Sequence, residues 1–258
     1  MTTEWRPCGL LNGKPARPYA VLILNQPVNR SALDAVIEHA TYLVCADAGA
    51  DRLRTYEEDS KNGSRSRKPD VIVGDLDSLT KDTREFYSRH GVQVVKNPDQ
   101  YSTDFSKALI WIRETAREQM NNEVLDVVVL GGLGGRVDQG FAQVHHLYLA
   151  SNDEGLLKGR IYLLSEQSLS FILEDGINTI LIEPGYFEEN AGIIPVLGPM
   201  TISLSGFEWD VTNWPTDFTG NMSTSNHIRS DKLEISFKGK RPLFTVELAA
   251  RFQTSHPR

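Results

Sequence analysis

Short apolar runs alternate with helical patterns over the first two-thirds of the chain. Residues 20–24, 42–46, 71–73, 92–95, 124–130 and 161–164 are of strand length and apolar at successive positions but for Gln93 and Asp126. Runs that are apolar on both faces suit parallel strands covered by helices. Helical patterns lie between them. Residues 31–39 form one. After the fourth run Phe105, Leu109, Ile112 and Ala116 recur at helical spacing, with Ser102 or Thr103 available as the capping hydroxyl. Strands alternating with helices build βαβ units, so the expected fold is a doubly wound parallel-sheet α/β domain. The polar, aperiodic stretch 56–68 reads as a surface loop or insertion.

The pattern changes after about residue 175. Ile202 and Leu204, then Phe207, Trp209 and Val211, alternate with polar residues, as do Leu233, Ile235 and Phe237, and Phe244, Val246 and Leu248. Period-two alternation marks antiparallel strands with one buried face. Gly185, Gly198, Gly206, Gly220 and Gly239 punctuate them. The expectation is an α/β domain over 1–175 followed by an antiparallel β-sandwich over 176–258. Phe207, Trp209 and Trp214 read as sandwich core, and the polar run 220–226 as a hairpin loop. An aromatic face beside amides and hydroxyls would also suit a flat cationic heterocycle.

Composition narrows the function classes. The 258 residues carry a formal net charge of -7. An acidic surface repels phosphate backbones and disfavours a nucleic-acid partner. No run of about 18 apolar residues exists, so no membrane span is expected. The N-terminal segment lacks the apolar core of a signal peptide, and Cys8 and Cys45 are too few for a disulfide framework. Together these favour reduced thiols in the cytoplasm.

Ligands of open α/β sheets bind beyond the carboxyl ends of the strands. Four successive strand ends carry aspartate: Asp47 after the second, Asp75 and Asp77 after the third, Asp99 and Asp104 after the fourth, and Asp138 after the fifth. Alternate residues of an extended segment point the same way, so Asp75 and Asp77 could face one cation. Oxygen donors without Cys or His suit magnesium. Each acid alone also has an ordinary reading: a turn or cap for Asp75 and Asp77, and a first-turn charge opposing the helix dipole for Asp51 and Asp104. The loop from Gly131 to Gly135, with Gly132 and Gly134 inside it, precedes a helix and could seat phosphate on backbone amides. It lacks both the dinucleotide fingerprint and the Walker A lysine, while Arg136 offers a planar fork of donors. Several acids, an arginine and a glycine loop converging on one edge repel unless a cation is present. That convergence points to a magnesium-dependent enzyme acting on a nucleoside triphosphate. His145 and His146 are adjacent on a helix, face different ways, and read as packing.

The series CADAGADRL, PDVIVGDLDSL, PDQYSTDFSKAL, GGLGGRVDQ and the late STSN resembles the thiamine pyrophosphokinase family, in order and spacing, over most of the chain. The resemblance implies transfer of the diphosphoryl group of ATP to the hydroxyl of thiamine, giving thiamine diphosphate and AMP. It implies a homodimer with sites at the subunit interface. It assigns Asp75, Asp77 and Asp104 to magnesium and the triphosphate, with Asp47 as the first acidic loop. It places Gly132, Gly134, Gly135, Arg136 and Asp138 near the nucleotide. Gln100, Thr103, Ser223, Ser225 and Asn226 fall near thiamine. Two other readings fit the bare residues: a metal-dependent nucleotide-sugar transferase using D-x-D, and a non-catalytic nucleotide-binding protein.

Overall fold

The computed structural model describes residues 1–59 and 67–253. In chain order the elements are β1 Thr2–Trp5, α1 Cys8–Asn12, β2 Tyr19–Ile23, α2 Arg30–Ile37, β3 Tyr42–Ala46, α3 Gly49–Asp59, β4 Val71–Gly74, α4 Lys81–Arg89, β5 Gln93–Lys96, α5 Asp104–Gln119, β6 Asp126–Leu130, α6 Val137–Asn152, β7 Ile161–Leu164, β8 Ser168–Ile172, β9 Ile177–Leu181, β10 Phe187–Ile194, β11 Met200–Ser205, β12 Val211–Thr216, β13 Ser223–His227, β14 Lys232–Lys238 and β15 Leu243–Leu248. They form two compact units. One spans Arg17–Glu166, and the other combines Met1–Ala16 with the chain from Gln167 onward.

The first unit is the expected parallel sheet. Its strands lie in the order β7-β6-β2-β3-β4-β5, every neighbouring pair parallel. Branched and apolar residues dominate β2 and β6, whose positions are all buried, as strands covered on both faces require. The edge strand β5 is half exposed, because it has a neighbour on one side only. The chain runs outward from β2 to β5 and then crosses back to β6 on the far side of β2. That reversal opens a crevice at the carboxyl ends of β2 and β6. The expected loop over 56–68 is corrected at its start. Helix α3 continues to Asp59, and Tyr56 is buried with its hydroxyl bonded to Asp34. Residues 60–66 of that stretch lie outside the described residues.

The second unit has two sheets, β1-β9-β14-β11-β12 and β13-β10-β15-β8. All pairs in them are antiparallel except β1 with β9. Trp5 is fully buried in its core, stacked at 4.4 Å on Phe171 and donating its indole N–H to Asn178 Oδ1 at 2.9 Å. The leader segment and β8 therefore belong with the β-rich unit, whereas the hydrophobic pattern alone placed both before a change at residue 175. The leader's strand is short and pairs with a partner about 175 residues away, which no local periodicity reveals. Among the aromatics read as core, Phe207 is buried, Trp214 is half-buried, and Trp209 is 54% exposed. No described helix is long and apolar enough to cross a membrane.

Candidate active site

Three of the predicted strand-end acids meet in the α/β unit. One carboxylate oxygen from each of Asp47, Asp75 and Asp104 lies within 4.8 Å of the others. Asp47 follows β3 at a φ of 45° and is buried. Its carboxylate accepts the backbone N–H of Ser78 at 3.2 Å and of Leu79 at 3.0 Å, tying the loop after β4 to the end of β3. Asp104 opens α5 and accepts the Asp75 N–H at 3.1 Å. Gly74 is what lets them approach. A Cβ there would sit 2.9 Å from Asp47 Cβ and 3.1 Å from Asp104 Oδ1. Burial pushes the Asp47 carboxyl above the usual carboxylate range; the Ser78 and Leu79 amides oppose this, and the Asp104 and Asp75 charges add to it.

The cation that offsets this cluster was missed by sequence reasoning. Lys107 is 3% exposed, with Nζ 3.1 Å from Asp104 Oδ1 and 3.9 Å from Asp75 Oδ2. It lies off the apolar stripe of α5, where a lysine reads as solvent-facing, but the first turn of that helix is buried on all sides; its three-residue spacing from Asp104 was a legible pairing signal. Asp51 was read as a first-turn charge. It also accepts the Thr80 N–H at 3.2 Å and the Thr80 hydroxyl, so α3 clamps the far end of the loop after β4.

Asp77 stands apart from the trio. Leu76 has φ 64°, which ends the extended geometry and removes the alternation that would aim Asp75 and Asp77 alike. Asp77 is exposed, and its backbone N–H donates to Asp75 Oδ1 at 3.1 Å. The donor set that the fold assembles is all hard oxygen, with one lysine beside it. It fits a magnesium ion that retains several waters.

The glycine loop flanks the crevice. Gly131, Gly134 and Gly135 take φ of 68°, 133° and 66°, conformations glycine adopts without a Cβ penalty. A side chain at Gly131 would overlap Leu24 O at 2.5 Å and Gln26 O at 2.8 Å, so the loop is drawn onto the end of β2. Arg136 N-caps α6 and forms a two-pronged pair with Asp138, both exposed. That hydrogen-bonded pair holds the Asp138 carboxyl below its ordinary range.

A cavity of about 310 Å³ lies against the acids, and its lining does not include the glycine loop, Arg136 or Asp138. Asp47, Asp75 and Asp104 line it, as do Gln100, Thr103 and the inner face of α6. Gln100 is exposed at its rim. Thr103 caps α5 by accepting the Ser106 N–H, and its hydroxyl lies 2.7 Å from His146 Nε2. His146 Nδ1 lies 2.6 Å from Ala142 O and donates to it, which leaves Nε2 to accept from Thr103. Burial lowers the His146 pKa from its ordinary 6.5. Just below that value the unfolded chain holds a proton that the folded chain refuses. Stability therefore rises with pH through this window, by at most about 1.4 kcal/mol per pH unit for one proton. Thermal unfolding between about pH 5 and pH 7 should show this slope, and His146→Gln should flatten it. An unchanged slope in the variant would assign it elsewhere.

The late segment sits on β13 in the β-rich unit. Asn226 is buried and spans the Trp209 backbone, accepting its N–H at 3.2 Å and donating to its C=O at 3.1 Å. Ser223 is half-buried, and Ser225 is exposed at φ 54°. The exposed Trp209 ring lies 5.0 Å from His227, which with Arg229 pairs to Glu208. Asn226 thus presents the tryptophan, a role its sequence position did not disclose.

Comparison with known proteins adds to this geometry. A sequence model described as thiamin pyrophosphokinase, catalytic domain, matches residues 33–156, and one described as its vitamin B1 binding domain matches 178–242. Thiamine pyrophosphokinase 3 of Oryza sativa is 34% identical over 89% of this chain and 87% of its own length. Thiamine pyrophosphokinase of Saccharomyces cerevisiae is 28% identical, covering 82% and 79%. The crystal structure of yeast thiamin pyrophosphokinase superposes with a TM-score of 0.85 at 25% identity, over 95% of this chain and 91% of that one. The Candida albicans structure, at 23% identity and a TM-score of 0.82, shares the fold over 96% and 93%.

Proposed function

The chain belongs to the thiamine pyrophosphokinase family, and on that premise we propose that it transfers the diphosphoryl group of ATP to the hydroxyl of thiamine, releasing AMP. The observation that carries this reading is the trio of Asp47, Asp75 and Asp104 with buried Lys107, at the carboxyl edge of a parallel sheet. In the reaction the thiamine oxygen bonds to the β-phosphorus, the bond from that phosphorus to the α-phosphate oxygen breaks, and the hydroxyl proton passes to a carboxylate of the site, a role we assign to Asp104. Positioning and charge neutralisation supply most of the acceleration in such transfers.

Asp75 and Asp104, with Asp47 behind them, would hold magnesium, which when bound offsets the charge of the phosphate oxygens, and Asp77 would join them only by turning toward the ion. Lys107 keeps Asp104 and Asp75 in place before substrate arrives. The amides of Gly132, Gly134 and Gly135 and the Arg136 guanidinium offer donors to the triphosphate, and Asp138 holds the guanidinium fork in orientation. Gln100 and Thr103 in the α/β unit, and Ser223 and Ser225 in the β-rich unit, are the proposed thiamine contacts, while Asn226 acts through Trp209, whose backbone it holds. A homodimer with sites at the subunit interface agrees with α6, where Val137, Phe141 and Leu149 leave apolar side chains exposed at four- and eight-residue spacings. A cytoplasmic location agrees with the two free, buried cysteines.

Incubation with ATP, magnesium and thiamine tests the proposal. Stoichiometric AMP and thiamine diphosphate are expected. ADP as the nucleotide product, or no turnover by folded protein, would reject it.

A further inference from the structure

Helix α6 turns Gln139, Ala142, Gln143 and His146 toward the cavity. Both ring nitrogens of His146 are engaged, by Ala142 and Thr103. Gln143 differs. Its Oε1 is buried and has no hydrogen-bond partner among the described residues. The side chain lies against the glycine loop, its Cγ 3.4 Å from where a Cβ of Gly132 would be. A buried carbonyl oxygen without a donor is costly, and in a native protein it calls for a reason. No lysine or arginine lines this cavity to supply a donor, and its charged lining groups are carboxylates. Phosphate, which only accepts at these positions, is no partner for it either.

We infer that Gln143 is a specificity residue that accepts a hydrogen bond from the exocyclic amino group of a bound amino-heterocycle. A carboxamide presents an acceptor and a donor side by side. An amino group next to a ring nitrogen presents the complement, the pairing by which glutamine recognises adenine. The inference rests on the reaction proposed above, whose two substrates both carry this group: adenine in ATP and the aminopyrimidine ring in thiamine. An oxo group in place of the amine sets oxygen against Oε1 and leaves it unpaired, which a site built on that hydrogen bond rejects.

The test compares kcat/KM ratios in wild type, Gln143→Met and Gln143→Leu. One ratio is ATP over inosine triphosphate with thiamine held constant. The other is thiamine over its 4-oxo analogue with ATP held constant. One of the two wild-type ratios should fall by at least about tenfold in both variants, and the other should stay within about twofold. A fall in the first assigns adenine as the amine read by Gln143, and a fall in the second assigns the aminopyrimidine. Thermal midpoints no lower than wild type are expected, because the variants remove an unpaired buried acceptor. Ratios unchanged in both pairs, wild-type ratios near one, or a parallel fall in both would overturn the assignment. Failure of wild type to form thiamine diphosphate and AMP would instead reject the underlying reaction.

Discussion

Asp75→Asn is expected to lower thiamine-dependent AMP release by at least about 100-fold, the scale seen when an electrostatic stabiliser of the transition state is lost, here the magnesium that Asp75 would hold. The substitution keeps shape and removes charge. It should also leave the fold intact, since Asp75 is half-exposed and its Oδ1 accepts only a local N–H, from Asp77. Thermal unfolding in the absence of magnesium should be unchanged or shifted upward, because one of three clustered negative charges is gone. Asp77→Asn carries the same expected loss if Asp77 joins the ion when substrate is bound. Comparing the two separates the assembled trio from the D-x-D motif. Turnover within a few-fold of wild type in Asp75→Asn would end the role given to the trio. A loss in Asp75→Asn alone would confine the ion to Asp47, Asp75 and Asp104.

Lys107→Met carries the second large effect. The lysine ammonium is buried against Asp104 and reaches Asp75. Removing one member of a buried charge cluster strands the others, a loss of about 3–5 kcal/mol in fully buried pairs. Here the acids are partly exposed, so solvent and a bound cation screen them and the loss should be smaller. Turnover should fall by about 100-fold as Asp104 and Asp75 lose their fixed orientation. Magnesium should raise the melting temperature more in the variant than in wild type, since the ion then supplies charge that Lys107 had supplied. Equal magnesium shifts in both proteins, with turnover preserved, would show that Lys107 is a packing residue.

Much of the fold was legible because its signals are local. The valine-rich run at β6 and the buried run at β2 read as interior parallel strands and are so. The stripe of Phe105, Leu109, Ile112 and Ala116 identified α5, and the Thr103 cap is present. The late alternation identified β11, β14 and β15, whereas the run from Phe207 to Asp210 is a bend with one isolated bridge from Phe207 to Ile228. The misplaced pieces depend on distant partners. Trp5 belongs to a core completed by Phe171 and Asn178, and Tyr56 is buried because Asp34 receives its hydroxyl.

The site divides the same way. From sequence alone came the acids at four strand ends, the glycine loop that is neither dinucleotide fingerprint nor Walker A, and the motif order that marks the family. Strand ends are set by hydrophobic runs, and in a parallel sheet those ends share an edge. Which acids converge was decided only by tertiary structure. A positive φ at Leu76 turns Asp77 away from Asp75, while Gly74 admits Asp47 and Asp104 beside it. Lys107, off the apolar stripe of α5 yet buried, neutralises them, and Gln143 keeps an oxygen without a partner among the described residues. Periodicity reports which face of an element is buried. The direction of one carboxylate is set by the backbone angle beside it and by neighbours brought from elsewhere in the chain, and these exist only once the sheet has formed.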